Sequence, residues 1–150
     1  GYGVAPLCFL AGGIGRKGVA FLGGARAKDV LCVDDFKMLG WDVRAVTEDG
    51  TLGEKGLVTD AMANWLNEEV SDKIPEFYAC GPDGMLKAVG ARAAEVGAMA
   101  WLSLDKHMGC GVGACLACVQ RIIAEDGQEC WGRVCKDGPV FESRKIVWGR

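Results

Sequence analysis

The sequence predicts an α/β chain, a parallel-sheet nucleotide-binding domain followed by a small cysteine-rich C-terminal domain, on three observations. Short apolar runs ending in turn residues alternate with stretches of helical apolar spacing through the first two thirds, which is the rhythm of βαβ units. Glycine-bearing turns open two of the helical stretches, at Gly1-Tyr2-Gly3 and at Cys80-Gly81-Pro82, and ligands of an open α/β sheet bind at such strand-to-helix turns. Four cysteines with metal-ligand spacing then gather in the last third. The implied division is 1–104 for the nucleotide-binding-like domain and 105–150 for the metal-centre domain.

The elements follow in order. Gly1-Tyr2-Gly3-Val4-Ala5-Pro6 is a glycine turn leading into a helix, with the proline early enough to sit where backbone N–H groups lack partners. Such a turn ordinarily follows a strand, so the element reads as missing the strand that would feed it. Strands are expected at 18–23, 42–47, 76–80 and 98–102. Helices are expected at 28–39, 57–70 and 84–96, the second amphipathic with Leu57, Ala61, Trp65 and Leu66 on one side. Glu48, Asp49 and Glu54 read as a solvated turn rather than a metal site.

Composition narrows the class. With 150 residues, 50% hydrophobic and 25% charged, the chain can bury a core as one domain or a domain with a small appendage. A formal charge of -3 with both signs mixed gives no basic patch, so nucleic acid is not an indicated partner. No apolar run approaches the roughly 20 residues of a spanning helix, and no membrane partner is expected. No charged leader followed by an apolar stretch opens the sequence, and free thiols fit a reducing cytoplasm. Cys8 and Cys32 read as small buried hydrophobes.

The run Cys110-Gly-Val-Gly-Ala-Cys115-Leu-Ala-Cys118, followed by a distant fourth cysteine, is the C-x4-C-x2-C…C spacing of a plant-type [2Fe-2S] cluster. Gly109, Gly111 and Gly113 interleave with the thiols, and glycine can take positive φ and bring backbone N–H groups toward sulfur. Lys106, Arg121, Arg133 and Lys136 are candidate compensating charges for an anionic centre. A four-cysteine zinc site also needs four thiolates, but it usually presents two separated short pairs. For the fourth ligand, Cys135 is preferred because it lies among turn-forming residues, while its rival Cys130 precedes the bulky Trp131; the margin on this ground alone is thin. A Rieske centre needs two histidines, and His107 is the sole one. Trp131 and Trp148 could form an apolar docking face beside the cluster.

Gly1 to Leu7, Glu48 to Asp60, Tyr78 to Ala88, Cys110 to Cys118 and Arg133 to Phe141 together resemble the electron-transfer subunits of the NAD-dependent dihydroorotate dehydrogenases, within the ferredoxin-NADP reductase superfamily. The last two segments are the most specific. The resemblance implies a ferredoxin-reductase type of fold and the ligand set Cys110, Cys115, Cys118 and Cys135, in preference to Cys130. It implies that Gly1, Gly3, Cys80, Gly81 and Pro82 face the nicotinamide and flavin region. It further implies that an FMN-containing catalytic subunit, in a heterotetramer, oxidises dihydroorotate to orotate in pyrimidine biosynthesis, while the cluster passes electrons singly to FAD and then NAD. No catalytic residue is expected in this chain, because chemistry on dihydroorotate belongs to the partner.

The family's FAD-binding barrel has no counterpart in these 150 residues, so the chain reads as part of a full subunit, not active alone. Two other functions compete: a diaphorase-like NAD(P)H/ferredoxin oxidoreductase subunit, and a non-catalytic zinc-stabilised interaction module.

Overall fold

The alternating segments become strands and helices in a computed structural model that describes residues 1–69 and 74–149. They gather in two compact units, Gly1–Lys73 and Ile74–Arg150.

In the first unit the order is α1 (Val4–Gly13), β1 (Val19–Gly24), α2 (Val33–Met38), β2 (Asp42–Thr47), β3 (Glu54–Lys55) and α3 (Val58–Glu69). The three strands form a sheet in the order β1-β2-β3, with β1 parallel to β2 from Val19 opposite Asp42 to Gly24 opposite Thr47. Because side chains alternate across a strand, β1 serves two layers. Ala20 and Leu22 pack in a core with Ala11 of α1 and Phe36 of α2. Phe21 instead meets Trp65 of α3 edge-on at 5.7 Å, and a Cβ on Gly23 would come within 3.0 Å of Val58. Helices on both faces are what a parallel sheet requires.

The helix expected over 28–39 is interrupted. Ala27–Asp29 is a short 3-10 turn and α2 begins only at Val33, because Cys32 takes the left-handed conformation, φ 62° and ψ 20°. The helix expected over 57–70 is α3, whose buried residues include Ala61, Met62 and Leu66. Leu57, assigned to that face by spacing, is exposed, and Met62 belongs to it. Val70 lies outside the described residues.

The second unit contains β4 (Glu76–Cys80), α4 (Asp83–Glu95), β5 (Met99–Ser103), β6 (Val119–Ile123), β7 (Glu129–Arg133), α5 (Val134–Asp137) and β8 (Val140–Glu142). β4 and β5 are parallel, and β8 closes the other side of β5 in antiparallel register, Leu102 opposite Phe141. Leu86 and Ala93 of α4 pack fully buried, as do Ala100 and Leu102 of β5. Burying one leucine in this way contributes about 1.5–3 kcal/mol.

The sequence reading assigned no elements beyond residue 104, and the structure supplies them. β6 and β7 form an antiparallel hairpin, Val119 opposite Arg133 through Ile123 opposite Glu129. The buried Gln120 side chain ties the hairpin to the end of the chain, donating to the Val147 carbonyl at 2.9 Å. Among the described residues no helix is long and apolar enough to cross a membrane.

Candidate metal centre

Residues 109–118 run as a loop into β6, and the one-turn helix α5 directly follows β7. The hairpin therefore carries the cysteine loop on its entry and Cys135 on its exit. Val119 and Arg133 are paired across it, which sets the two cysteine-bearing segments side by side. Backbone bonds complete the join: Val134 N–H donates to the Cys118 carbonyl at 3.1 Å, and Cys135 N–H donates to Cys118 Sγ at 3.4 Å. Val134 and Cys118 are both buried.

The rest of the loop wraps Cys110. Its Sγ accepts N–H groups from Ala114 at 3.2 Å, Cys115 at 3.4 Å and Val112 at 3.5 Å. Gly111 and Gly113 do take positive φ, 68° and 83°. The donors to Cys110 are not the glycines themselves but residues beyond them, because a left-handed residue reorients the chain that follows it. The Gly113 N–H bears instead on the Cys135 thiol. Gly109 is needed for space: a Cβ there would stand 3.1 Å from Cys115 Sγ.

These donors act on the thiols. The N–H groups of Cys115, Val112 and Ala114 push Cys110 down to about 6, and the Cys135 N–H lowers Cys118. Cys135 moves the other way, raised first by its hydrogen bond to the Cys118 thiol, so the lowered Cys118 is the acceptor of that pair. The four thiols thus stand as two hydrogen-bonded pairs, Cys110 with Cys115 and Cys118 with Cys135.

That pairing discriminates between metals. A tetrahedral zinc with Zn–S bonds of about 2.3 Å holds all four sulfurs about 3.8 Å from one another. Among the described residues, the group of ligand atoms lying mutually within 4.8 Å is a different one, and no three of the loop thiols meet that limit. Two thiolate pairs suit the two irons of a [2Fe-2S] core, and the N–H groups aimed at sulfur suit its negative charge. The residues present fit the cluster.

The expected counter-charges are mostly committed elsewhere. Lys106 pairs with Asp83 at 2.5 Å, Arg121 with Glu129, and Arg133 with Asp137. The Arg133 and Asp137 pair has a structural task, since two guanidinium bonds of 3.1 Å and a backbone N–H bond of 2.8 Å close the turn containing Cys135. Lys136 packs its stem under Gly113. Cys130 is exposed on β7, opposite Ile122.

The comparisons with known proteins agree with this chemistry. The family described as the iron-sulfur cluster binding domain of dihydroorotate dehydrogenase B matches residues 105–147. Along 99% of its length the chain is 37% identical to the dihydroorotate dehydrogenase B (NAD(+)) electron transfer subunit of Desulforamulus reducens, covering 56% of that protein. Along nearly all of its length the chain is similar to part of these electron-transfer subunits.

The same named subunit of Shouchella clausii is 40% identical over 98% of the chain and 54% of the relative. A solved structure described as an NADH-dependent reduced ferredoxin-NADP oxidoreductase, studied for flavin-based electron bifurcation, superposes with a TM-score of 0.79 at 32% identity, over 97% of this chain and 51% of that one. The chain therefore has the ferredoxin-reductase type of fold with an iron-sulfur domain of [2Fe-2S] type. It spans about half the length of the curated relatives it matches.

In this electron-transfer-subunit homologue the two glycine turns fall in different compact units. Gly1 and Gly3 precede α1, with Gly3 at its cap, and the Gly1 amine donates to the Asp29 carbonyl at 3.0 Å. Cys80 ends β4, Pro82 caps α4, and a Cβ on Gly81 would collide with Met85. The acidic loop after β2 is organised by its own side chains: Asp49 accepts from the Thr51 N–H at 3.0 Å and hydroxyl at 2.6 Å, which lowers its carboxyl. Cys8 and Cys32, expected to be buried, are half-exposed and lie together with Asp35. Spacing gives no hint of that meeting, because the residues belong to separate helical segments.

Proposed function

We propose that this chain is the cluster-bearing part of a dihydroorotate dehydrogenase electron-transfer subunit, relaying electrons between a partner's FMN and FAD with NAD. The observation that carries the reading is the paired arrangement of Cys110 with Cys115 and Cys118 with Cys135 inside a segment of that family. These four cysteines are the ligand set. When bound, the [2Fe-2S] cluster accepts and gives up one electron at a time, which links two-electron flavins.

The chain's own residues would do the rest. The N–H groups of Val112, Ala114, Cys115 and Cys135 stabilise negative charge on sulfur. Gly1, Gly3, Cys80, Gly81 and Pro82 would meet the nicotinamide and flavin, with 1–104 serving nucleotide binding and 105–150 the cluster. The FMN-containing catalytic subunit, assembled as a heterotetramer, would dock near the loop, where Met108, Val112, Leu116 and Trp131 expose apolar surface. Cys8, Cys32, Cys80 and Cys130, the free cysteines outside that ligand set, support a reducing, cytoplasmic setting.

The test is anaerobic. Reconstituted chain is mixed with the FMN-containing subunit and dihydroorotate, and the paramagnetic signal of the reduced cluster should appear only with both present. A cluster that dithionite reduces but dihydroorotate with its dehydrogenase does not would overturn the assignment. The fold shared with the ferredoxin-NADP oxidoreductase favours one second reading, a diaphorase-like subunit, in which reduced ferredoxin would supply the electrons instead.

A further inference from the structure

Two cysteines outside the cluster loop meet in the first compact unit. Cys8 lies in α1, Cys32 stands immediately before α2, and Asp35 lies in the first turn of α2; their two sulfurs and a carboxylate oxygen all fall within 4.8 Å of one another. A tetrahedral zinc with Zn–S of about 2.3 Å and Zn–O of about 2.0–2.2 Å sets such ligand atoms about 3.5–3.8 Å apart. The three are therefore within about an ångström of closing on a cation, a distance side-chain rotation covers.

Two further features suit a metal. The thiols are half-buried against the core of Ala11 and Phe36, while Asp35 is exposed, so one side of the triad is open for a water as fourth ligand. Cys32 holds a left-handed backbone, φ 62°, which a residue with a Cβ rarely adopts, at the point where its thiol stands against Cys8. A disulfide would need only the two sulfurs and would leave Asp35 without a role.

We propose that Cys8, Cys32 and Asp35 form a binding site for one zinc-class divalent cation, separate from the cluster loop.

The full chain is first loaded with its cluster, so that the loop thiolates are occupied, and then dialysed against zinc under anaerobic conditions with a phosphine reductant. One zinc per chain should remain beside the cluster iron, and zinc should protect Cys8 and Cys32 from alkylation in peptide mass maps. Cys8→Ser should abolish the retained zinc, and Asp35→Asn should weaken it by about tenfold or more. Asp35 is exposed and the replacement keeps its size, so this variant remains informative even if a cysteine variant folds poorly. Zinc retention unchanged in Asp35→Asn and Cys8→Ser, no zinc retained at all, or alkylation of Cys8 and Cys32 unaffected by zinc would each overturn the site.

Discussion

Cys135 donates its backbone N–H to the sulfur of Cys118 at 3.4 Å. Seventeen positions apart in sequence, the two residues meet because the β6 and β7 hairpin folds one end of the cysteine segment back on the other. Strand register thus sets Cys135, the proposed fourth ligand, beside Cys118, whereas Cys130 sits within β7, exposed and opposite Ile122.

The proposed ligand set of Cys110, Cys115, Cys118 and Cys135 rests on that geometry. Cys115→Ser should abolish the [2Fe-2S] optical and paramagnetic spectra of anaerobically prepared protein, whereas Cys130→Ser should leave both unchanged. An intact spectrum in the first variant, or a lost one in the second, would reassign the ligands.

Gly113 should tolerate no side chain. Its φ of 83° and the 2.9 Å approach of Lys136 to a Cβ both oppose alanine, and the backbone penalty alone is about 1–2 kcal/mol. Gly113→Ala should accelerate cluster loss, followed as bleaching over time. Gly111→Ala, with positive φ but open space, should show the smaller effect. Equal bleaching rates for all three proteins would count against this packing argument.

The Cys135 turn should weaken in acid. Hydrogen bonding to Arg133 holds the Asp137 carboxyl below its ordinary 3.8, so its contribution is fully present above the unfolded-chain value and is lost as pH falls through the depressed folded one. Amide exchange at Arg133, whose N–H Asp137 accepts, should speed up relative to its neighbours below about pH 4. In Asp137→Asn that acid dependence should vanish, and a variant curve parallel to wild type would refute the role.

The cluster-free chain should alkylate unevenly. Three N–H donors bring Cys110 to about 6, while Cys135 is raised by its bond to Cys118, so near neutral pH the Cys110 thiolate should react first. Quantified peptide labelling across pH should give half-maximal Cys110 modification at about pH 6. Simultaneous labelling of Cys110 and Cys135 would show that the loop does not hold this arrangement without its metal.

Much was legible in the sequence because it is local. The strands at 42–47 and 76–80 are found at the expected positions, and those at 19–24 and 99–103 lie within one residue of them, since apolar period and flanking turns are read within a few residues. The cysteine spacing likewise named the cluster. The misplaced features are those decided by contacts along the fold: the break at Cys32, the burial of Met62 in place of Leu57, and the hairpin itself.

The amino-acid order by itself determined the βαβ alternation, the [2Fe-2S] spacing and the family resemblance. Only the tertiary structure decided which N–H groups reach Cys110, that Arg133 closes the Cys135 turn, and that Cys8, Cys32 and Asp35 converge. Periodicity encodes which face of an element is apolar. Where one element's side chain meets another's depends on register and loop closure, which no single segment carries.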